Sequence, residues 1–220
     1  MGDLVTLARF ANPDLVAEGE AQIAREDAER RRLAALERER ARRAQRLADP
    51  NVDAKAAALA LESPGRCPRV VGHVGSEAAA EAVERFVADP DARLLVLAGM
   101  TGRGKSWAAT WALAELGGCV VPATAVRPTP TWDELRSRAE TAVFVLVDDL
   151  GRETTGEWRA AEIAALIEGR HNTCRKTIAT TNLKPPELAA RYGDRFTSRL
   201  EPQRFGRLVL VGGAEIGAGR

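Results

Sequence analysis

Cysteine and histidine, the side chains that most often bind zinc, are scarce in this sequence. There are three cysteines and two histidines among 220 residues. Cys67, Cys119 and Cys174 are far apart, and no two of them have the C-x-x-C spacing. An odd number of dispersed cysteines supports neither a disulfide framework nor a zinc site, so we expect reduced thiols.

The chain has neither an excess of one charge nor a long apolar run. Its 32 basic and 31 acidic residues give a formal net charge of +1, so nucleic-acid binding would need a local patch rather than a global field. No segment is apolar over the length that a signal peptide or a membrane span requires. We therefore expect a soluble, cytoplasmic protein without a membrane partner.

One octet has the residues of a phosphate-binding loop. Residues 99–106 read Gly-Met-Thr-Gly-Arg-Gly-Lys-Ser, which fits the pattern G-x-x-x-x-G-K-[ST]. An apolar run at 94–98 predicts a strand before the loop, and residues 107–113 predict a helix after it. Glycines let backbone N–H groups point at an anion, and the positive end of the helix strengthens that field. The pattern predicts that Lys105 contacts nucleotide phosphates and that the Ser106 hydroxyl binds Mg²⁺.

The residues expected to contact the nucleotide all lie in or beside this octet. They are Gly99, Thr101, Gly102, Arg103, Gly104, Lys105, Ser106 and Trp107. The alternative is a glycine-rich turn that binds nothing, but the flanking strand and helix favour a phosphate loop. Trp107 and Trp111 are four residues apart, and this helical spacing favours core packing over adenine stacking.

A second motif follows another apolar run. Residues 142–147 predict a buried parallel strand, and Asp148 and Asp149 come directly after it. Open α/β sheets bind their ligands at the carboxyl ends of such strands. Acids at a strand end can be ordinary turn residues. Behind a phosphate loop, however, we expect Asp148 to complete the Mg²⁺ shell and Asp149 to orient or deprotonate the attacking water.

Three polar residues later in the chain are further candidates. A strand predicted at 177–181 ends at Asn182, which could reach the γ-phosphate or the water, or could be a turn residue. Arg195 and Arg199 are one helical turn apart on one predicted face. With a last strand at 208–211, five strands alternate with helices, which predicts an open parallel sheet with right-handed crossovers.

The first part of the chain has a helical pattern but few large apolar residues. Asn12 can cap a helix that starts at Pro13 and runs to Ala48. Its large apolar residues are too sparse for a heptad seam, so this helix has no core of its own. Nine arginines lie between Arg25 and Arg46. They fit three interpretations: a solvated salt-bridged spacer, an arm that docks onto a partner protein, or an arm that contacts phosphates.

We divide the chain into three parts on this basis. Residues 1–62 form a helical arm for partner docking, which includes a second, alanine-rich helix at 51–61. Residues 63–75, which contain two prolines and three glycines, form a linker. Residues 76–220 form the nucleotide-binding core.

Three more helices are predicted within the core. Ser76 can cap a helix that runs to Val87. The sequence from Thr131 to Glu134 has the pattern of a capping box at the start of a short helix. The segment from Gly156 to Arg170 has apolar residues at the spacing of an amphipathic helix.

Together these residues resemble the helicase-loader branch of the AAA+ ATPases, which includes DnaC-type loaders and IstB-type transposition helpers. The resemblance covers about residues 76 to 211 and depends on the order and spacing of four segments. These segments are 99–106, 147–153, 180–183 and 193–200.

The resemblance implies an AAA+ core with strand order 5-1-4-3-2 and no C-terminal lid domain. It implies ATP and Mg²⁺ at the phosphate loop and Asp148, and a sensor role for Asn182. It also implies an arginine finger at Arg195, with Arg199 as second candidate, that completes the site of a neighbouring subunit in a self-assembled oligomer. Because Asp149 is shorter than the glutamate that is commoner at its position, we expect slow hydrolysis.

The function implied by this resemblance is an ATPase that loads or remodels a replicative DNA helicase, which the N-terminal arm would bind. The helical region between the loop and the acids is short for a loader, so single-stranded DNA is only a candidate partner. One alternative is an IstB-type transposition or recombination helper. Another is a nucleotide-gated adaptor or inhibitor that binds the helicase without loading it.

Overall fold

The structure of the protein, a computed structural model, describes residues 13–69, 76–153, 157–201 and 204–212. The cap predicted at Asn12 and the helix start predicted at Gly156 lie outside the described residues. The helices are α1 (Pro13–Arg46), α2 (Ala54–Leu61), α3 (Ser76–Ala88), α4 (Lys105–Leu116), α5 (Pro130–Thr141), α6 (Glu157–Asn172) and α7 (Pro185–Ser198). The strands are β1 (Leu94–Ala98), β2 (Cys119–Pro122), β3 (Phe144–Leu150), β4 (Lys176–Thr181) and β5 (Gly206–Leu210).

The five strands form one parallel sheet in the order β2-β3-β4-β1-β5. Read from the other edge this is 5-1-4-3-2, so the predicted strand order is confirmed. Because all strands run in the same direction, the carboxyl ends of β1, β3 and β4 are neighbours. The topology therefore brings together the phosphate loop after β1, Asn182 after β4 and the two acids, which lie in the last three residues of β3 rather than after the strand as expected.

Apolar side chains cover both faces of the sheet. Leu95 and Leu97 of β1 belong to one core with α3 and α4, whereas Leu94 and Val96 belong to a second core with α5, α6 and α7. This division follows from the alternation of side chains along a strand. Trp111 is buried in the first core, as the helical spacing predicts, but Trp107 is only half-buried and borders the cavity beside the phosphate loop. In the described ranges, no helix combines the length and the apolarity of a membrane span.

Contacts divide the chain into two compact units, Met1–Arg42 and Arg43–Arg220. In the first unit, the described side chains of α1 are mostly exposed, including Ile23, Leu33 and Leu36 at 61%, 53% and 56%. Its ion pairs are made within the helix, as between Arg30 and the acids three and four residues before it. Exposed pairs of this kind contribute little to stability.

The second unit begins with arginines that are fixed to the core. Arg43 is 1% exposed and contacts the Glu115 carboxylate and the Ala60 carbonyl. The Arg46 guanidinium donates to the carbonyls of Ala114 at 2.9 Å and Glu115 at 2.7 Å. A cation that caps free carbonyls at the C-terminal end of α4 is favoured by the helix dipole.

These contacts place residues 43–62 with the core, so the division by contacts falls before the arm boundary expected after residue 62. The physical reason is that the alanines of α2 are small enough to pack closely on α4, where Ala56 and Ala60 are buried. Part of the expected linker is packed as well. Cys67 is 1% exposed, and its N–H donates to the Glu84 carboxylate at 2.9 Å.

Some predicted element ends are shifted. The helix α5 starts at Pro130 rather than in the predicted capping box, because Thr129 is its cap and accepts a hydrogen bond from the Trp132 N–H. A proline at the first helical position has no N–H to satisfy, which favours a cap directly before it. The helix α1 ends at Arg46 rather than Ala48, and β5 runs from 206 to 210 rather than from 208 to 211.

Candidate nucleotide-binding site

Glycine is needed at different positions of the phosphate loop for different structural reasons. Gly102 and Gly104 both have φ near 79°, a left-handed conformation that glycine adopts without strain. Gly99 packs so closely on the end of β5 that an added Cβ would lie 2.3 Å from the Val211 carbonyl oxygen. Gly104 caps α4 without a side-chain hydrogen bond. The positive end of this helix lies at the loop, where it favours an anionic ligand.

Lys105 holds the loop to the end of β4. Its ammonium donates to the carbonyls of Gly99 at 2.7 Å and Met100 at 2.9 Å, and to Asn182 Oδ1 at 3.0 Å. The residue is 6% exposed. This burial lowers the pKa of Lys105, and the nearby Asp149 and Asp148 carboxylates act in the opposite direction. The site therefore contains a buried cation whose hydrogen-bonding partners are neutral oxygens.

The Asp148 carboxylate lies beside the Ser106 hydroxyl, as the sequence predicts for two ligands of one metal ion. The Ser106 hydroxyl donates to Asp148 Oδ1 at 2.8 Å, and the Thr180 hydroxyl donates to the same oxygen at 2.6 Å. Thr180 Oγ1 also accepts the Asp149 N–H at 3.0 Å. A strand-end carboxylate is thus fixed between α4 and β4, with a second oxygen ligand next to it.

Asp149 has an unusual backbone conformation, with φ at 60°. The pairing of β3 with β4 shifts register between Val147 and Leu150, which includes the two acids. Such irregularities redirect side chains at functional positions, and aspartate tolerates the left-handed region better than most residues. The carboxylate pairs with Arg152 at 3.3 Å, and because the Arg152 side chain is 67% exposed, this pair contributes little to folding stability.

A cavity of about 240 Å³ lies against the loop. It is lined by residues 101–107 together with Asp149, Arg152 and Asn182. Asn182 also donates to the Thr101 hydroxyl at 3.2 Å, so it contacts both ends of the loop. Of the predicted nucleotide contacts, Gly99 lies beneath the loop rather than in the lining, and the others border the cavity.

The two candidate finger residues do not line this cavity. Arg195 and Arg199 lie at the end of α7, after Gly193 interrupts the helix with φ 79° and ψ 171°. Arg199 pairs with Glu168 of α6 and has a side chain only 16% exposed. Arg195 is exposed, and its guanidinium has no hydrogen-bond or ion-pair partner in the parts of the chain that the structure describes. Only Arg195 is therefore available to another molecule without breaking an ion pair.

The sequence analysis missed two residues of the site. Thr180 positions both acids through its hydroxyl, and Arg152 lines the cavity while pairing with Asp149. The signal for Thr180 was a hydroxyl in a buried strand two residues before Asn182. No comparable signal marks Arg152, because arginine is common throughout this sequence.

A larger cavity, about 630 Å³, lies at the opposite end of β1 and β5. It is lined mainly by apolar side chains, among them Phe86, Leu94, Leu95 and Phe205. It has no glycine-rich loop and no cluster of acids such as the one beside Lys105. Among the described residues, the polar groups that could bind a nucleotide therefore line the smaller of these two cavities.

The strand order and the glycine-rich loop between β1 and α4 match the AAA+ P-loop fold. No family model and no curated protein matches the chain. Among solved structures, it is similar to the crystal structure of the DnaC helicase loader, with a TM-score of 0.51 and 22% identity over 66% of this chain and 92% of that one. It is also similar to DnaI, with a TM-score of 0.51 and 19% identity over 64% of this chain and 87% of DnaI.

A further similar structure is AMPPCP-bound DnaA from Aquifex aeolicus. The TM-score is 0.51 and the identity 22%, over 64% of this chain and 48% of that one. Identities in this range establish the fold. The expectation of an AAA+ core is therefore confirmed, and the roles of individual residues are proposals.

Proposed function

We propose that the protein is an ATPase that binds ATP with Mg²⁺ at the cavity beside the phosphate loop. The observation that carries this proposal is the placement of Lys105. Its buried ammonium lies at a 240 Å³ cavity, next to a helix N-terminus that has no side-chain cap. The ammonium and the N–H groups at a helix N-terminus are the kinds of donor that a polyphosphate needs.

The residues present fit a magnesium ion. Ser106 Oγ and Asp148 Oδ1 are 2.8 Å apart, and hydroxyl and carboxylate oxygens are the ligand types that Mg²⁺ prefers. Ser106 and Asp148 would hold the ion, with phosphate oxygens and water as its other ligands. When bound, the ion would neutralise negative charge on the β- and γ-phosphates.

Asp149 and Asn182 are the residues that would act on the attacking water and the γ-phosphate. Both line the cavity. Asp149 would orient the water or accept its proton, and Asn182 would report the γ-phosphate to the end of β4. Hydrolysis would be slow, because the aspartate side chain is short and Arg152 competes for its carboxylate at 3.3 Å.

Arg195 would complete the site of a neighbouring copy. Its exposure and its lack of a partner in the described residues support this role over Arg199, which is already paired with Glu168. An arginine supplied from outside stabilises the negative charge that develops in phosphoryl transfer. The active form would then be an oligomer.

The proposed partner of the oligomer is a replicative DNA helicase, bound through the N-terminal arm. The fold shared with the DnaC helicase loader supports this choice. So do the exposed Ile23, Leu33 and Leu36 on an otherwise charged helix, because isolated apolar residues on an amphipathic surface are typical anchors for a protein partner. An adaptor that binds the helicase without loading it is the second candidate, which the Arg152–Asp149 pair favours.

The nucleotide proposal is tested by calorimetric titration of the protein with ATP and Mg²⁺. Lys105→Ala is expected to weaken binding about 100-fold or more, since charge-assisted hydrogen bonds to phosphate are lost. Lys184→Ala is the matched control, because Lys184 is exposed and lies outside the cavity lining. Equal affinities for the two variants would contradict the proposal.

The partner proposal is tested by co-purification with a replicative helicase. Leu36→Glu is expected to weaken the association, whereas Ala35→Glu adds the same charge at an exposed position without removing a large apolar side chain. Retention of a transposase instead of the helicase would favour the transposition helper. Helicase binding with negligible ATP hydrolysis and no loading onto single strands would favour the adaptor.

A further inference from the structure

Glu153 is a buried carboxylate that connects two segments with proposed roles. It follows the turn that carries Asp149, and its side chain is 0% exposed. Glu153 Oε2 accepts the Gly151 N–H of that turn at 2.8 Å. Glu153 Oε1 accepts hydrogen bonds from Arg191 Nε and from the Tyr192 hydroxyl, both at 2.6 Å, and both donors belong to α7. One carboxylate group thus holds the acid-bearing turn to the helix that carries Arg195.

The two carboxylate oxygens of Glu153 form a bridge between the turn and α7. Oε2 accepts from the turn and Oε1 accepts from α7, so the hydrogen bonds to each element need a carboxylate oxygen as acceptor. The Glu153 carbonyl adds a contact, since it accepts a further hydrogen bond from Arg191 at 3.1 Å. Burial, followed by the hydrogen bond to Glu153, raises the pKa of Tyr192, which keeps its hydroxyl a donor.

The helix α7 consists of two parts, and Glu153 holds the first. Arg191 and Tyr192 precede Gly193, whose φ of 79° and ψ of 171° break the helical conformation. Arg195 follows this break in the second part, where its own side chain is exposed although the adjacent Phe196 is buried. The direction in which the second part leaves Gly193 therefore depends on where the first part is held.

We propose that Glu153 is a positioning residue that fixes Asp149 toward its own nucleotide and Arg195 toward the site of the next subunit. This inference rests on the proposed ATPase function. It makes the turn after β3 and the helix α7 one mechanical unit. A displacement of Asp149 that accompanies hydrolysis is transmitted through Glu153 to the arginine presented to the neighbour.

Glu153→Gln tests the bridge with an isosteric change. A glutamine has one acceptor oxygen, so its NH₂ group must face a donor on one side, and that side of the bridge is lost. In steady-state assays on the full-length protein, kcat is expected to fall about 100-fold while KM stays within about twofold, because positioning errors affect the reaction more than ground-state binding.

Two further variants separate positioning from folding. Glu162→Gln removes a carboxylate on α6 that pairs with Arg136, and α6 contributes no described residue to the cavity, so kcat should stay within about twofold of the native value. Tyr192→Phe removes a single donor from Glu153 and is expected to lower kcat about threefold to tenfold with KM unchanged. Native kcat in the Glu153→Gln variant would overturn the proposal.

Mixed oligomers test whether Glu153 also acts on the neighbouring site. Asp149→Asn subunits mixed with Arg195→Ala subunits should recover part of the native rate, because some interfaces pair an intact acid with an intact arginine. Glu153→Gln subunits mixed with Arg195→Ala subunits should recover nothing. If the second mixture recovers as much as the first, Glu153 does not position Arg195.

Failure of the proposed function has a different signature. A native protein that binds no ATP, or binds it without measurable hydrolysis at any protein concentration, contradicts the ATPase proposal itself. A native protein that hydrolyses ATP, together with a Glu153→Gln variant of unchanged kcat, contradicts only the role of Glu153.

Discussion

The two ends of the parallel sheet each contain a buried cation, and the contrast between them shows what makes one a candidate site. Lys105 lies at the carboxyl end and Arg170 near the amino end of β4, and both are less than a tenth exposed. Both donate to neutral oxygens. Burial lowers the pKa of each, in the case of Arg170 to about 10.

The surroundings of the two cations differ. Arg170 is 1% exposed and binds the carbonyls of Ala142 at 2.9 Å and Lys176 at 2.7 Å, the Thr177 hydroxyl, and the Ala139 carbonyl. It ties α5 to the start of β4, and it lines none of the cavities described above. Lys105 instead borders a cavity beside an uncapped helix and two carboxylates. A buried cation is thus a structural clamp at one end of the sheet and a ligand-binding group at the other.

The largest expected effect on stability comes from breaking the clamp. Arg170→Met leaves several buried carbonyls without a donor, which should lower the free energy of unfolding by about 3–5 kcal/mol. The ATP affinity of the folded variant should be unchanged. Chemical denaturation and calorimetric titration measure the two quantities, with the exposed Arg207→Met as control. A variant that folds normally but loses ATP affinity would contradict the assignment of a structural role to Arg170 and a ligand-binding role to Lys105.

The next effect concerns the acid at the carboxyl end. Asp149→Asn should lower kcat about 100-fold and spare ATP affinity, because asparagine keeps the size of the side chain but is a poorer base. Asparagine also tolerates the left-handed conformation with φ at 60°, so backbone strain does not confuse the result. Single-turnover measurements with radiolabelled ATP provide the readout. An unchanged rate would mean that a group other than Asp149 orients or deprotonates the attacking water.

A smaller effect is expected from the proposed metal ligand. Ser106→Ala should raise the Mg²⁺ concentration needed for half-maximal hydrolysis about tenfold, since one oxygen ligand is lost while Asp148 remains. Thr110→Ala on the same helix is the control, because the Thr110 hydroxyl donates to the Ser106 backbone carbonyl rather than facing the cavity. The same Mg²⁺ dependence in both variants would argue against a metal at Ser106.

The smallest effect is a difference in thiol reactivity. Cys174 is exposed, whereas burial raises the pKa of Cys119, and that of Cys67 to about 12. A low thiolate fraction and poor access both slow the reaction of a thiol. At pH 8, Cys174 should therefore react at least about tenfold faster than Cys67 or Cys119. Timed labelling with an aromatic disulfide, followed by peptide mapping, identifies it. Rapid labelling of Cys67 would mean that residues 63–69 are not packed as described.

Sequence reasoning succeeded where function requires fixed local spacing. The run from Gly99 to Ser106 lies directly after β1 and the acids at 148 and 149 lie in the last three residues of β3, and parallel topology then brings them together. The same reasoning predicted the amphipathic helix that the structure describes as α6, whose Ile163, Leu166 and Ile167 are buried.

Sequence reasoning was less successful where contacts between residues far apart in the sequence decide the role of a side chain. Arg43 and Arg42 are neighbours in one charged helix, yet only Arg43 finds the Glu115 carboxylate and the Ala60 carbonyl. No local pattern distinguishes the two residues, because the acceptors belong to α4 and α2. The hydroxyl of Thr180 was missed for the same reason, since the proximity of β3 decides its role, whereas the cap at Thr129 had a local signal in the adjacent Pro130.

The close contact between Gly99 and Val211 affects how the protein can be handled in the laboratory. The Val211 N–H donates to the Ala98 carbonyl at 2.7 Å, and its own carbonyl blocks any side chain at position 99. The backbone that follows β5 therefore passes directly beneath the phosphate loop. An affinity tag or fluorescent fusion joined soon after Gly212 would emerge beside the proposed nucleotide site. Nucleotide measurements should accordingly be made on protein whose tag has been cleaved or attached elsewhere.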